Sequence, residues 1–422
     1  MGKKKFNYAY VIIIVCALMV FVGLGFSSSS KKAFLNSILS YNTSISKALY
    51  GFSDTFRYAT TTIVNVFFGS LIVKFGLKKL VGAGFIELTL SMLFYAISTT
   101  VIGFYLAGVF LGLGVAWTTT TMVGYIINKW CTKNKGTILG ITLATNGFGA
   151  SLATMVFGPI AEATPTGYKT VYFIFTIIVF AIGVISVIFL KDKTITEPQI
   201  ENTNDKKQRG SDWTGIDTKS AYKKPYFYLC LISVFLTGIA LQSITTIDAM
   251  HMAIIGVPSS VYTPLMSAGM FILAFSKFFT GFLYDRLGLR PTITISFLAA
   301  IVSLTTLCLI TADSSAFACG FYFILVDVAL PLETIILPIY ASDLFGKKDY
   351  TKFLGIVISA NTLGQSLGSP IMGLCFDIWG NYSVALYLGT ILMAIAMLLM
   401  QYVVTASNKE KRLIALKIEN QI

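Results

Sequence analysis

Apolar runs of about 20 residues recur from one end of this sequence to the other, and they constrain it more than any single motif. Crossing the hydrocarbon core of a bilayer as α-helix takes about 20 apolar residues. Counting such runs gives about twelve, centred near residues 18, 62, 89, 113, 149, 179, 236, 273, 300, 330, 364 and 393. Of the 422 residues 55% are hydrophobic and only 12% are charged, against ~25% charged in an average soluble domain. A water-soluble core cannot hide that much apolar surface, so lipid must solvate it. The expected fold is an all-α membrane protein with twelve transmembrane helices.

The formal net charge of +13 does not indicate a nucleic-acid partner. The Lys and Arg residues sit in short stretches between apolar runs, with no basic face of a folded domain to carry them. Their placement follows the positive-inside rule. With Lys3, Lys4 and Lys5 in the cytoplasm, every second loop is also inside, and these loops carry Lys74, Lys78 and Lys79, then Lys129, Lys133 and Lys135, then Arg286 and Arg290, then Lys347, Lys348 and Lys352. The tail with Lys409, Lys411 and Arg412 is inside too, while the opposite loops hold only Lys31, Lys32, Lys47 and Lys169. The expectation is a multi-pass protein of the plasma membrane, both termini cytoplasmic, acting as a monomer. The apolar run from about Tyr8 to Phe26 is too long for a signal peptide and reads as an uncleaved first helix. Phe6 at the sixth position argues against myristoylation of Gly2.

One long polar stretch, Lys191 to Lys224, has no apolar period and reads as a cytoplasmic linker. It separates a first six-helix bundle (1–190) from a second (225–422) and its short tail. The halves also repeat. Gly140-Ile141, Asn146, Gly149 and Ser151-Leu152 recur 215 residues later as Gly355-Ile356, Asn361, Gly364 and Ser366-Leu367. Gly69, Gly76-Leu77-Lys78 recur 212 residues later as Gly281, Gly288-Leu289-Arg290. Two echoes at nearly equal offsets in corresponding helices imply two pseudo-symmetric six-helix bundles. A duplicated unit of this kind suits a transporter that rocks its halves about a central site.

The segment Gly281-Phe-Leu-Tyr-Asp285-Arg286-Leu-Gly288-Leu-Arg290 resembles the G-x-x-x-D-R-x-G-R-R loop of the major facilitator superfamily. Gly281 permits close helix approach, Asp285 suits a basic partner or a helix N-terminus, and Gly288 suits a tight turn. The first copy, Gly69 to Lys79 with Gly76, has Val73 where the family has Asp. Within the superfamily the chain is similar to the oxalate/formate antiporter and monocarboxylate transporter group. Asn128-Lys129-Trp130-Cys131-Thr132-Lys133-Asn134-Lys135-Gly136 is similar to its N-R-W-F-x-x-x-R-G loop, and Ser342-Asp343-Leu344-Phe345-Gly346 to its S-D-I-F-G. The resemblance implies a substrate-binding cation at Lys277, where the antiporter has Arg, and places Lys31 near a functional Lys of the monocarboxylate carriers. Asn361 stands where the antiporter has a binding Lys. One positive charge fewer implies a monoanion in preference to oxalate.

Charges inside a membrane usually face a cavity or a partner. Lys277 is either a cation for an anionic substrate or a lysine snorkelling to the interface. Arg57 follows Asp54 by three residues, on one helix face, as a local ion pair or as part of a binding site. Lys31 and Lys32 end the first helix as interfacial anchors or substrate contacts. Glu333, near the middle of the tenth helix, balances Lys277 or carries a coupling proton; Asp327, Glu87 and Asp248 are weaker candidates, and Asp54 is a further charge-balancing group. Among the uncharged groups, Ser27 to Ser30, Gln242 and Ser243, Asn146 and Asn361 either bond a carboxylate or join helix to helix. Asn146 is expected in a structural role, Asn361 and Gln242 at the substrate. Trp117 reads as packing.

No G-x-S-x-G, H-E-x-x-H or nucleotide-binding G-x-x-x-x-G-K-[ST] is present. The six cysteines form no C-x-x-C pair, and the single His251 has no ligand spacing, so no metal or other cofactor is expected. The reading is a secondary active transporter, not an enzyme, that moves a small organic anion such as a monocarboxylate by proton symport or anion exchange. A facilitator of drugs, sugars or other uncharged solutes is the alternative, and a non-transporting sensor a further one.

Overall fold

The computed structural model describes residues 8–192 and 215–419. The Lys3 to Lys5 cluster, Gly2 and most of the expected linker lie outside the described residues. Twelve helical segments cover all twelve apolar centres. They are α1 (Ala9–Lys31), α2 (Lys47–Val66, continued by Phe68–Phe75), α3 (Leu77–Ile97), α4 (Val101–Trp130), α5 (Lys135–Glu162), α6 (Gly167–Phe189), α7 (Pro225–Ile254), α8 (Ser259–Leu287), α9 (Leu289–Leu309), α10 (Ala316–Glu333, resuming at Ile336–Leu344), α11 (Tyr350–Trp379) and α12 (Ser383–Glu419).

Ten of these are long and apolar enough to cross a membrane, and the bent pair in α2 makes eleven. The count departs from twelve uniform runs for two physical reasons. α2 bends by 65° at Phe67, so neither piece spans alone. α11 is 30 residues long, but Asn361, Thr362, Gln365 and Ser366 dilute its apolar character, and these residues face the interior of the molecule. Large apolar side chains such as Ile102, Met155, Phe317 and Leu398 are exposed around the outside. Lipid is the solvent that surface requires.

α1 to α6 form one bundle and α7 to α12 the other. Within each, glycines let backbones meet. A Cβ on Gly149 of α5 would run into the Phe21 carbonyl of α1, and one on Gly364 of α11 into the Phe235 carbonyl of α7. These are corresponding contacts in the two halves, so the sequence repeat is a packing repeat. Between the halves, α5 lies against α8 and α2 against α11. Here too the contacts correspond. A Cβ on Gly140 would sit 2.6 Å from the Lys277 carbonyl, and Gly355 meets the Asn65 carbonyl in the same manner.

A bulky residue at Gly140 must therefore push α5 from α8. Gly140→Val is expected to abolish transport while Gly373→Ala, at a position with open space around it, changes nothing or stabilises by up to ~1 kcal/mol. Uptake assays on the two purified variants check this; equal activity would refute the close-packing argument.

Candidate functional site

The halves enclose a cavity of about 330 Å³ at mid-depth. One wall comes from α1, α2, α4 and α5, the other from α7, α8, α10 and α11. The contacts that close it lie towards the lysine-rich ends of the helices. Thr62 and Thr362 share a hydrogen bond of 2.8 Å, Ser359 donates to the Thr62 carbonyl at 3.0 Å and Tyr350 donates to the Gly124 carbonyl at 3.2 Å. At the end of the α5–α8 seam, Asp285 accepts from the Gly136 and Thr137 amides at 3.0 and 2.7 Å and from the Thr137 hydroxyl at 2.7 Å. Its carboxylate thus caps the first turn of α5 from the opposite half, where the helix dipole favours a negative charge.

The other loop-motif residues make turns, close backbone approaches between the halves and surface contacts. Gly76 and Gly288 make the turns, with φ of 78° and 84°. Gly281 meets the Gly136 backbone and Gly69 the Lys352 backbone. Arg286 covers the Phe282 ring, and Arg290 donates to Gln401 at 2.9 Å. Val73 is exposed, so the first half has no counterpart of the Asp285 cap.

Lys277 does not snorkel. It is 2% exposed and about 15 Å from the end of α8. Its Nζ donates to Asn146 Oδ1 at 2.6 Å and to the Leu143 carbonyl at 3.4 Å. The cation is therefore a tie between the two halves that also lines the cavity. Asp327 and Glu333 line the same cavity, and neither lies within ion-pair distance of Lys277 among the described residues. Asn146, expected as structural, both binds Lys277 and lines the cavity; Asn361 lines it too, donating to the Val234 carbonyl at 3.3 Å.

Lys31 is neither an anchor nor a wall residue. It is 5% exposed, inside the first bundle. Nζ donates to Asp54 Oδ1 and Ser53 Oγ at 2.8 Å and to Tyr95 at 3.0 Å. Asp54 thus makes its ion pair with Lys31, not within its own helix with Arg57. The pair lies off the cavity wall. Arg57 does line the cavity, its guanidinium 4.6 Å from the Tyr58 ring.

Gln242 accepts from Tyr58 across the cavity at 3.0 Å. Ser28 and Ser29 line the wall, whereas Ser27 and Ser30 bond back to their own helix. Glu87 is half-buried on α3 and off the wall, and Trp117 packs against Phe68. Glu333 sits in a 3-10 turn, Leu330–Glu333, that interrupts α10. This break puts its carboxyl at the wall with backbone unwound beside it, as irregular backbone in a membrane must line a cavity or be packed in protein.

The wall thus carries Arg57 and Lys277 against Asp248, Asp327 and Glu333. Several buried wall atoms find no hydrogen-bond partner among the described residues: the donors Arg57 Nε and Asn65 Nδ2, and the acceptors Asp327 Oδ2, Glu333 Oε1 and Asn361 Oδ1. Asn65 is not among the residues that the sequence reading singles out. A signal for it exists, because the 212-residue offset that relates Gly69 to Gly281 also relates Asn65 to Lys277.

Comparison with known proteins agrees with this architecture. The family model described as Major Facilitator Superfamily matches residues 13–340 and 265–419. Among solved structures, the transporter FucP in the outward conformation is similar over 94% of this chain and 99% of its own, at 15% identity and a TM-score of 0.67. A single-site variant of the E. coli fucose:proton symporter FucP aligns over the same shares at 15% identity and a TM-score of 0.66. The proton:xylose symporter XylE, bound to 6-bromo-6-deoxy-D-glucose, aligns over 94% of this chain and 97% of its own at 13% identity and a TM-score of 0.68. No curated protein matches the sequence. The chain belongs to the major facilitator superfamily and is a multi-pass membrane transporter, not an enzyme.

Proposed function

We propose that this protein is a proton-coupled symporter of a neutral, polyhydroxylated solute of about monosaccharide size. The observation that carries the reading is the mixture of unpartnered donors and acceptors on the cavity wall. A carboxylate only accepts hydrogen bonds, so it would leave Asp327, Glu333 and Asn361 unserved; a hydroxyl both donates and accepts and serves both kinds. Charge adds to this. Lys277 is occupied by Asn146, and the wall holds three carboxyls to two cations. The volume lies at the small end of the ~300–1,000 Å³ range of small-molecule sites. The similarity in fold to two proton:sugar symporters supports the same reading.

In this scheme Glu333 and Asp327 are the proton carriers, because a carboxyl inside the membrane crosses most cheaply when neutral. The lysine-rich end is cytoplasmic by the positive-inside rule, so the closed seam faces the cytoplasm and the cavity opens outward. A monocarboxylate, the substrate expected from the loop motifs, is the second reading, favoured by the unpartnered Arg57 Nε.

Uptake into proteoliposomes of labelled hexoses, pentoses and polyols, beside formate, lactate, pyruvate, oxalate and succinate, separates the two. Saturable sugar or polyol uptake driven by a pH gradient is expected. A gradient of one pH unit supports accumulation of up to about tenfold for one proton. Glu333→Gln is expected to keep exchange of labelled for unlabelled solute and to lose that accumulation. Uptake of a carboxylate alone would overturn the proposal in favour of the second reading.

A further inference from the structure

The polar atoms left open on the wall of the central cavity are sorted by half. Those that only donate a hydrogen bond, Arg57 Nε and Asn65 Nδ2, both stand on α2 of the amino-terminal half. Those that accept, Asp327 Oδ2, Glu333 Oε1 and Asn361 Oδ1, all stand on α10 and α11 of the carboxy-terminal half. The Thr334 hydroxyl, which serves either role, is also on that half.

Two of these groups keep their roles whatever the protonation of the wall. Asn65 is fully buried, and its Oδ1 accepts from the Thr121 hydroxyl at 2.9 Å, which leaves the amide nitrogen to donate. Asn361 is buried too, and its Nδ2 donates to the Val234 carbonyl at 3.3 Å, which leaves the amide oxygen to accept. A backbone carbonyl cannot donate, so this orientation of Asn361 is fixed. Both residues stand by the Thr62–Thr362 hydrogen bond at the closed end of the cavity. Asn65 lies one helical turn beyond Thr62, and Asn361 is next to Thr362 in sequence. Asp327 and Glu333 join the acceptors of the carboxy-terminal half while they are ionised.

We propose that the solute is held in one orientation, with accepting oxygen atoms turned to Arg57 and Asn65 and donating hydroxyl groups turned to Asn361 and the carboxylates. This rests on the reading of the solute as a polyhydroxylated molecule, and adds which of its edges meets which half. Asn65 and Asn361 are then specificity-determining residues. A solute that offers only acceptors completes the amino-terminal set alone, and one that offers only donors completes the carboxy-terminal set alone. A hydroxylated ring completes both at once. A ligand bonded to both halves favours the conformation in which they are close, so the sorting of donors from acceptors couples recognition to closure.

Monodeoxy and monofluoro derivatives of D-glucose, D-galactose, D-xylose and D-glucitol read the orientation, each as a competitor of uptake of its labelled parent into proteoliposomes. A fluorine accepts weakly and cannot donate, whereas a hydrogen on carbon does neither. Where a hydroxyl accepts from Arg57 or Asn65, the fluoro derivative should compete nearly as well as the parent and the deoxy derivative about fivefold worse. Where a hydroxyl donates to Asn361 or a carboxylate, both derivatives should be weakened alike, by about fivefold. Asn65→Ala should abolish the difference between fluoro and deoxy at a position of the first kind and leave the second kind unchanged. Asn361→Ala should do the reverse. A monodisperse elution profile verifies that each variant is folded, and the comparison of derivatives on the unaltered protein tests the orientation even if a variant misfolds. Equal competition by fluoro and deoxy derivatives at every position, or loss of the same positions in both variants, would overturn the inference while sugar transport stands. No saturable uptake of any of the four parents would overturn the reading of the solute, and the inference with it.

Discussion

Lys277→Ala is expected to reduce transport to the background of empty liposomes and to lower stability as well. The ammonium is buried at mid-depth and bonded to Asn146 in the other half. Removing it leaves the buried Asn146 Oδ1 without its donor, and an unsatisfied buried polar group typically costs ~1–3 kcal/mol. The double variant Lys277→Ala/Asn146→Ala removes both hydrogen-bonding groups. It should therefore recover most of the lost thermal stability, followed by intrinsic fluorescence, while transport stays lost. Lys277→Arg should not rescue: a planar guanidinium needs width that Gly140 and Gly147, packed on the α8 backbone, do not leave. Transport at the normal rate in Lys277→Ala would mean that the tie between halves is dispensable and that Lys277 has no place in the cycle.

The second large effect is expected at Asp285. Its three hydrogen bonds reach from one half to the first turn of α5 in the other. A capping carboxylate of this kind contributes up to ~2 kcal/mol, and it does so only while the lysine-rich end is closed. Asp285→Ala should then shift the equilibrium towards the open form of that end by about 30-fold. Pulsed electron–electron resonance between spin labels at Lys79 and Lys348, both exposed and on opposite halves, reads the distance directly in a background without the native cysteines. A longer-distance population should grow in the variant, and an unchanged distribution would remove Asp285 from the closing mechanism. Val73→Asp is the control. Its side chain points away from the molecule, so an acid there should not build a second cap.

The twelve helical segments, the division into two related bundles and the loop motif were all legible along the chain. Each rests on a local property: the apolar length of a helix, the excess of lysine in alternate loops, a glycine that must turn or pack. The partners of the charges were not legible. Lys31 and Lys277 look alike in sequence, each a lysine in an apolar context. One is enclosed by Asp54, Ser53 and Tyr95 inside its own bundle, the other bridges the halves. Which occurs depends on the rotation of a helix about its axis, and that is set by all of its neighbours at once. Asp54 and Arg57 share a helix face, yet Asp54 binds a residue 23 positions away. Glu333 belongs to an apolar run but stands in a broken turn, because the cavity beside it allows the backbone to unwind.

The sequence by itself thus determined the solvent of this protein, the number of its helices, the duplication of its halves and its membership of a transporter fold. These follow from the free energy of placing backbone and apolar side chains in lipid, which acts residue by residue. The tertiary structure alone decided which end is closed, which cation lines the cavity and which is spent within a bundle. It also set the balance of three carboxyls against two cations on the wall. Those features arise from contacts between different helices, some of them more than a hundred positions apart, such as Lys277 with Asn146 and Asp285 with Gly136, and no local pattern encodes them.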